Sequence, residues 1–501
     1  MSTLFARAEG YAVETESYFT LSAATGARTN NGYYTGSRLL SQFGKFNYAF
    51  SDKYLATFTI RRDGSSRFGE DTRYGIFPAA TVGWKINNED FFKDITMVSN
   101  LKLRAGYGEV GNQAIGNNAR FGLYEARYGP NQNVYYPDFF NVYYNVGTAY
   151  DLNGANTGNL PSGFVSVQAA NPGLQWETTK EINVGLDFGF FGNKLSGSFD
   201  YFSRNTEGIL IVPPVASAVG EGQQRFVNGA STSNKGWEFT IGYADKLENG
   251  LSYNITTNFG ATKNKITELP EEVRAAYPGT ASNSIVGHSQ YEIFGLKTDG
   301  LFQSQAEIDS HATQIGSRLG GIKFVDLNGD GTINSDDRTF IGSTLPKLEY
   351  GINISLAYKN VDFSIFGSGV SGRVGVDPYI FWNNFVQGRD NAAPGTLNAW
   401  TPTNTNTEVP SLSLANNDTQ TSDYILRNNS YFKIRNLQIG YSLSESLIKK
   451  AGFITNCRIY MQGENLVWFT SKDYIGSDPE RTDVNRIPVP RTLSLGFNFN
   501  F

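Results

Sequence analysis

The last eleven residues of the chain, RTLSLGFNFNF at 491–501, alternate strictly between apolar residues and small or polar ones. Leucine and phenylalanine occupy 493, 495, 497, 499 and 501, so every apolar side chain falls on one face of an extended segment. A period of two predicts a β-strand with two different faces. A strand with one apolar face, one polar face and a terminal aromatic is typical of barrels that face lipid outside and water inside.

The same alternation recurs upstream at 182–190 and 348–358, with shorter runs at 54–60, 237–243 and 251–259. The face opposite the apolar one is small or polar in each case, as the lining of a wet lumen requires. We therefore predict an all-β fold, namely an antiparallel transmembrane β-barrel with long extracellular loops.

Composition agrees with a barrel. A chain of 501 residues would need two or more domains if it were soluble, because single soluble cores stop growing at roughly 250–300 residues. Hydrophobic residues make up 40% and aromatics 14%, and the mean hydropathy is −0.34, a combination that single apolar residues spread by alternation produce. The net charge of −5 comes without a basic block, which excludes nucleic acid as an expected partner. One cysteine, Cys457, cannot form an internal disulfide.

The alternating segments number roughly fourteen, and they are unevenly joined. Tight turns are predicted at 191–193 and 359–360. Long polar stretches separate other strands, which indicates short turns at one end of a barrel and long external loops at the other. These stretches are 110–175, 205–235, 262–345, 370–430 and 466–490. The apolar phase changes within 432–441, which predicts a β-bulge near Arg435 or Asn436.

Residues 326–337, DLNGDGTINSDD, fit the pattern of a calcium loop. The predicted oxygen ligands are the side chains of Asp326, Asn328, Asp330, Asn334 and Asp337 and the carbonyl of Thr332. Gly331 supplies the sharp turn, and Ile333 is expected to anchor the loop inward. Aspartate at position twelve is one methylene shorter than the usual glutamate, which weakens bidentate closure. We expect a structural Ca²⁺; an acidic turn that binds nothing is the alternative.

Two aromatic stretches are candidates for binding a substrate. Tyr135 and Tyr136 lie in a loop rich in tyrosine and asparagine, and Phe381 and Trp382 precede two asparagines. Rings that stack on sugar faces beside hydrogen-bonding amides have this composition. The alternative is that these aromatics pack loops together or form the interfacial girdle of a barrel.

Sequence signals for an enzyme are few, and we expect that this chain has no enzymatic activity. His288, His311 and Cys457 lie near no recognisable partner, so a surface or packing role is expected for all three. Gly367, Gly369 and Gly372 match a dinucleotide fingerprint, but the following residues do not begin a helix. A glycine-rich strand end is the better interpretation.

The chain resembles the C-terminal barrel portion of TonB-dependent outer-membrane transporters of the SusC/RagA type. Segments spread over nearly the whole chain carry this resemblance. They are RRDGSSRFG (61–69), ATVGWKINNEDFF (80–92), LRAGYGEVGNQAIG (103–116), NPGLQWETTKEINVGLDFGF (171–190), 321–351 with the calcium-like loop inside it, 429–443 and 488–501.

The resemblance implies a barrel of twenty-two strands, of which 39–501 would be the later portion and 1–38 an uncertain loop or partial strand. It also implies that Phe501 belongs to the signal presented to the barrel-assembly machinery. No secretion signal, plug domain or TonB-contact segment is recognisable before Leu39, so we expect that this chain alone does not transport. A longer protein of which this is a C-terminal part is the preferred interpretation.

For the complete protein, the resemblance implies active import of a bulky oligosaccharide or peptide through the outer membrane of a Gram-negative bacterium. The implied partners are membrane lipid, a SusD-like surface lipoprotein, and TonB acting through the plug. The competing hypothesis is a calcium-containing adhesin or glycan-binding β-protein at the cell surface, whose strands would be polar on both solvent-facing sides. A barrel hydrolase would need a nucleophile and base, and the sequence offers no recognisable pair.

Overall fold

The structure is a computed structural model that describes most of the chain. The described residues are 2–8, 25, 28–34, 36–127, 163–213, 225–276, 285–377, 379–385, 393–414, 416–448, 454–472, 474, 476, 478–480 and 489–500.

One antiparallel sheet of 13 strands dominates the described residues, and strands that are consecutive in the sheet are also consecutive along the chain apart from small strands in the loops. Its members are β3 (Leu39–Phe50), β4 (Tyr54–Ser65), β5 (Tyr74–Lys85), β6 (Val98–Asn112), β9 (Glu177–Phe190), β10 (Leu195–Ile211), β11 (Val227–Lys246), β12 (Ser252–Glu268), β17 (Leu348–Tyr358), β18 (Val361–Ser371), β21 (Tyr431–Ser442), β22 (Asn456–Thr470) and β23 (Thr492–Asn500). The prediction of an antiparallel barrel wall is confirmed, with β3 and β23 at its two edges.

The remaining strands pair as five two-stranded ribbons. They are β1 (Ser2–Ala8) with β2 (Arg28–Tyr34), β7 (Leu123–Arg127) with β8 (Gly163–Gln168), β13 (Glu292–Gly295) with β16 (Thr339–Ser343), β14 (Thr298–Leu301) with β15 (Ile322–Phe324), and β19 (Val374–Val376) with β20 (Leu426–Asn428). The α-helices are α1 (Glu271–Ala276), α2 (Gln305–Ser310), α3 (Tyr379–Asn384) and α4 (Glu445–Ile448). No helix of the described residues is long and apolar enough to cross a membrane.

Short turns and longer connections leave opposite ends of most strands of the main sheet, as predicted, although the connection from β4 to β5 (66–73) is shorter than that from β5 to β6 (86–97). Short turns join β3 to β4, β9 to β10, β11 to β12 and β17 to β18. The residues at Phe191 and Lys359 adopt positive φ, the left-handed conformation that such tight turns require. Long connections leave the opposite ends of the strands, so the loops collect at one end of the sheet.

The predicted limits of the long loops were partly wrong. Residues 205–211, 227–235 and 262–268 were assigned to loops, but they continue β10, β11 and β12. Pairing of Thr206 with Thr232, and of Thr232 with Ile266, extends these strands without apolar alternation. Backbone hydrogen bonds alone can carry a hairpin beyond the part with an apolar face, so the side-chain pattern underestimates strand length.

The two faces of the sheet differ as the alternation predicts. On β9, Ile182 and Val184 are 55% and 44% exposed, and on β23 Leu495 is 66% exposed. An apolar face left this open is unlike the inner face of a soluble sandwich and matches a surface in contact with lipid. This open apolar face also argues against the competing adhesin hypothesis, which expects strands that are polar on both solvent-facing sides.

The opposite face carries a ladder of ion pairs across three strands. Arg104 on β6 donates through Nη1 and Nη2 to both carboxylate oxygens of Asp200 on β10, at 2.7 and 2.6 Å. Its Nε donates to Asp187 on β9 at 3.2 Å. Arg104 and Asp200 both lie opposite Gly185, whose missing Cβ leaves room for the pair to meet across β9. The polar face is thus the one suited to a wet lumen.

The predicted bulge is confirmed at Arg435. Against β18, Asn436 and Ile434 pair with the consecutive residues Phe366 and Gly367, so Arg435 is the extra residue on β21. The register against β22 also shifts between Ile434 and Asn436. The bulge changes which neighbouring side chains face the polar side.

Candidate functional site

Two long loops, 269–347 and 372–430, pack together at the long-loop end of the sheet. Their shared core consists of buried residues from both loops, namely Leu296, Leu301, Ile322, Phe324, Ile333, Phe385 and Trp400. Backbone hydrogen bonds add to this packing, because Leu296 N–H donates to Thr421 O at 2.9 Å and Asp423 N–H donates to Leu296 O at 3.1 Å. The indole of Trp400 donates to Gln303 Oε1 at 2.9 Å. We call these two loops together the loop unit.

The predicted calcium loop, 326–337, is part of this unit. Gly331 O accepts from Thr313 N–H at 2.8 Å, and Ile333 N–H donates to Thr313 O at 2.9 Å. Ile333 is buried in the shared core, which confirms that it anchors the loop inward. Gly329 and Gly331 adopt φ of +74° and +79°, a conformation that favours glycine at both turns.

Backbone amides bind the carboxylates of this loop. Asp326 accepts from the N–H groups of Gly329 at 2.7 Å and Gly331 at 2.9 Å. Asp330 Oδ1 accepts from Thr332 N–H at 2.8 Å. The fully buried Asp337 accepts from the N–H groups of Leu327 at 2.8 Å and Asn334 at 2.9 Å. The loop is thereby folded into a tight turn with its acidic residues held in fixed orientations.

These hydrogen bonds affect the acidity of the first predicted ligand. The N–H of Gly331, followed by that of Gly329, holds the pKa of Asp326 below its usual value although partial burial opposes this. Among the described residues, no three histidine, cysteine, aspartate or glutamate side chains are grouped to hold a metal ion. The calcium motif also uses the side-chain amide oxygens of Asn328 and Asn334 and the carbonyl oxygen of Thr332. Groups of histidine, cysteine, aspartate and glutamate side chains do not include these ligands. The calcium site therefore stays a prediction.

The predicted substrate residues are only partly described. Tyr135 and Tyr136, and the assembly residue Phe501, lie outside the described residues, and so does the side chain of Trp382 in α3. Phe381 is half-buried, packs against the shared core, and lies with its ring centroid 6.1 Å from that of Phe385. This contact agrees with the packing alternative, while a role in binding substrate stays a prediction.

The residues expected to have packing roles do pack. The ring of His288 stacks on Phe340 with centroids 3.6 Å apart, and its Nδ1 lies 2.7 Å from Glu292 Oε2. The ring of His311 meets Phe302 edge-on at 5.1 Å. Cys457 is buried at the start of β22.

A polar network that the sequence did not reveal joins β21 to the last long loop. Lys433 Nζ lies 3.1 Å from Glu480 Oε2, and Arg435 Nη2 lies 2.5 Å from Glu480 Oε1. Tyr431 Oη also donates to Glu480 Oε1, at 2.8 Å. Burial raises the pKa of Glu480, but hydrogen bonds from Arg435, Tyr431 and Lys433 outweigh it and lower the pKa to about 2. The one available signal was the change of phase at Arg435, which marks the bulge but names no partner.

A cleft opens in the seam between the two loops of the loop unit. Its volume is about 610 Å³, and its walls come from β14 and the segments 405–408 and 423–427. Gln303, Glu408, Asp423 and Arg427 supply polar groups along it. No sequence motif predicts this cleft, because its walls are about a hundred residues apart in the chain.

Comparison with known proteins identifies the family. The profile of the family described as TonB dependent receptor-like, beta-barrel, matches residues 5–466. The chain is 32% identical to TonB-dependent receptor P3 of Formosa agariphila, covering 99% of this chain and 49% of the relative. It is 30% identical to TonB-dependent receptor SusC of Bacteroides thetaiotaomicron, covering 95% of this chain and 45% of the relative. The chain thus spans about half the length of the curated relatives it matches. Both relatives are named TonB-dependent receptors.

Solved structures agree on the fold. The RagAB peptide importer in its closed-closed state superimposes with a TM-score of 0.77 at 23% identity, covering 100% of this chain and 52% of that chain. Another structure of the RagAB peptide transporter gives a TM-score of 0.76 over 98% of this chain and 50% of that chain. The chain therefore belongs to the family of TonB-dependent receptor-like β-barrels of the SusC/RagA type, which lie in the outer membrane.

Proposed function

We propose that the whole protein is an active importer that carries bulky nutrients, oligosaccharides or peptides, across the outer membrane with energy from TonB. The observation that supports this most is the two-faced barrel wall of a TonB-dependent receptor, with exposed apolar side chains on one face and the Arg104 ion ladder on the other. Such a wall separates lipid from an aqueous passage.

Growth tests this proposal. Deleting the whole gene in its host should abolish growth on a nutrient polymer that the wild type uses, and should leave growth on the corresponding monomer unchanged. Loss of the TonB system should have the same effect. Unimpaired growth of the deletion strain on every oligosaccharide and peptide source would contradict the proposal.

The proposed partner is a SusD-like surface lipoprotein that covers the mouth of the barrel. The loop unit exposes large apolar side chains outside the region of the strands, with Ile315 at 78%, Leu397 at 88%, Leu412 at 50% and Leu414 at 72%. Leu319 and Ser411 lie side by side, because Ser411 Oγ donates to Leu319 O at 2.8 Å. Large apolar side chains exposed to water on a loop surface favour a protein partner.

A matched pair of variants tests the docking surface. Leu412→Arg on the loop unit should weaken co-purification of the lipoprotein, because a charge would be buried against its apolar face. Leu447→Arg on α4, at the short-turn end, is the control, since Leu447 is 51% exposed and Leu412 is 50% exposed. Equal recovery of the lipoprotein with both variants would contradict docking at this surface.

We also propose that Ca²⁺ binds at 326–337 and stiffens the loop unit. The completeness of the motif, the positive φ of Gly329 and Gly331, and the lowered pKa of Asp326 support this. A structural ion here would hold the loop against Thr313 and the shared core.

A further inference from the structure

The cleft in the loop unit has walls that carry charges of both signs. Glu408 is exposed at one side, and Arg427 and Asp423 are half-buried in the segment 423–427. Its volume of about 610 Å³ lies within the range of 300–1,000 Å³ that is usual for small-ligand sites.

The cationic group of the cleft is held in position before any ligand arrives. Arg427 Nη1 donates to the carbonyl oxygens of Tyr424 at 2.7 Å and Leu426 at 2.8 Å. These two bonds use one nitrogen of the guanidinium and fix its plane. The other nitrogens retain N–H groups in the fork arrangement that suits a carboxylate.

The anionic groups are also ordered by the seam. Asp423 Oδ1 accepts from both the N–H of Thr298 at 2.9 Å and its hydroxyl at 2.7 Å, so this carboxylate joins the two loops. Glu408 contributes to the scaffold through its backbone, because its carbonyl accepts from Tyr424 Oη at 2.8 Å. The carboxylate of Glu408 is thus positioned by a fixed backbone and faces solvent.

The cleft offers a poor surface for stacking sugar rings. Tyr424 is the aromatic residue among those that line it, and its ring packs edge-on against Phe385 with centroids 5.9 Å apart. Its hydroxyl is bonded to Glu408 and to Asn384 Nδ2, the latter at 2.7 Å. Burial raises the pKa of Tyr424 to about 12, so this hydroxyl keeps its proton. Charged groups rather than an open aromatic face define the chemistry of the cleft.

We infer that this cleft binds a short peptide by its charged ends, with Arg427 taking a carboxylate and Glu408 an ammonium group. The assignment deepens the proposed function, on which it rests, because it selects peptides from the two nutrient classes. A charged hydrogen-bonded group at each end should change affinity by about tenfold or more when it is neutralised.

Calorimetry on the purified full-length protein tests the assignment with four probes: tetra-alanine with free ends, its N-acetylated form, its C-amidated form, and maltotetraose. Glu408→Gln should weaken binding of the free peptide about tenfold and leave the N-acetylated form unaffected. Arg427→Gln, which keeps an N–H donor for the carbonyls of Tyr424 and Leu426, should weaken the free peptide and spare the C-amidated form. Asp309→Asn, which neutralises an exposed acid on α2 outside the cleft, is the control.

Each outcome decides the matter. Binding of tetra-alanine that neither variant changes, or the absence of peptide binding, would overturn the inference, and so would tighter binding of maltotetraose that both variants weaken. Glu408→Gln leaves the hydrogen bond from Tyr424 Oη to the backbone carbonyl of residue 408 intact, so this variant should fold. It therefore tests the inference even if Arg427→Gln fails to fold. If the peptide binds at the cleft but deletion of the gene leaves growth intact, the import proposal is refuted and the peptide-binding inference is supported. If deletion impairs growth but no peptide binds, the inference is refuted and the import proposal is supported.

Discussion

The ammonium group of Lys433 on β21 lies 3.4 Å from a carboxylate oxygen of Asp478 in the last long loop, and both side chains are fully buried. Lys433 also lies over the ring of Trp468, 5.5 Å from its centroid. Arg373 adds a further contact, because its Nη2 donates to the carbonyl of Pro479 at 2.6 Å. A buried pair therefore fastens the segment 478–480 to the wall and to the neighbouring loop.

Removing the lysine should destabilise the protein strongly. Lys433→Met leaves the buried carboxylate of Asp478 without its cation, which we expect to cost about 3–5 kcal/mol in the free energy of unfolding. Urea unfolding of the protein refolded into lipid vesicles measures this change. The double variant Lys433→Met with Asp478→Leu should recover much of the loss, since no buried charge remains unpaired. A double variant that loses the full sum of both single changes would contradict this account.

Glu480 should make stability depend on acid pH. Its pKa of about 2 in the folded protein lies below the ordinary value of 4.5, so its contribution is complete above pH of about 4.5 and is lost as the pH falls toward 2. Glu480→Gln should flatten the fall in unfolding temperature over this window. Glu248→Gln, a change of an exposed acid in the turn between β11 and β12, should leave it as in the wild type. Identical profiles for Glu480→Gln and wild type would contradict the assignment.

Adjacent residues on β9 test the two faces of the wall. Val184 lies on the exposed apolar face, and Asn183 beside it lies on the polar face with Asp187. Val184→Arg near the bilayer midplane should cost about 2–4 kcal/mol, while Asn183→Arg should cost far less. Unfolding in lipid vesicles compares the two. Asn183 is a better position than Asp187 for this purpose because Arg104 bonds to Asp187. Equal costs would refute the assignment of faces.

Calcium should raise the unfolding temperature if it binds at 326–337. Adding Ca²⁺ to protein stripped with chelator should stabilise the wild type and protect the loop from protease, and Asp330→Asn should reduce both effects. The lowered pKa of Asp326 favours the ionised form of that ligand, which is the form that binds Ca²⁺. Asp309→Asn removes the same charge outside the loop and should retain the full response. A calcium response that Asp330→Asn leaves intact would remove the proposed site.

The strands could be predicted because each reports its environment locally. Ile182, Val184 and Leu186 alternate with polar neighbours since one side of β9 faces lipid and the other the lumen, and this period is visible without any partner strand. The turn at 359–360 and the bulge at Arg435 were likewise predictable, because a break in the alternation marks each of them.

The loops could be predicted only in part. The calcium motif was recognisable because all its proposed ligands lie within twelve residues, and the position of Ile333 in the core followed from it. The true ends of β10, β11 and β12 could not be predicted from the sequence. Backbone hydrogen bonds extend these strands beyond the part with alternating side chains.

By itself, the sequence determined an all-β wall with one face for lipid and one for water, since the period of two is a property of each strand alone. The tertiary structure alone decided which distant residues meet. Lys433 contacts Asp478, Thr298 contacts Asp423 and Trp400 contacts Gln303. Such contacts depend on how separate loops pack, and a polar residue carries no local sign of the partner that will satisfy its charge or hydrogen bond.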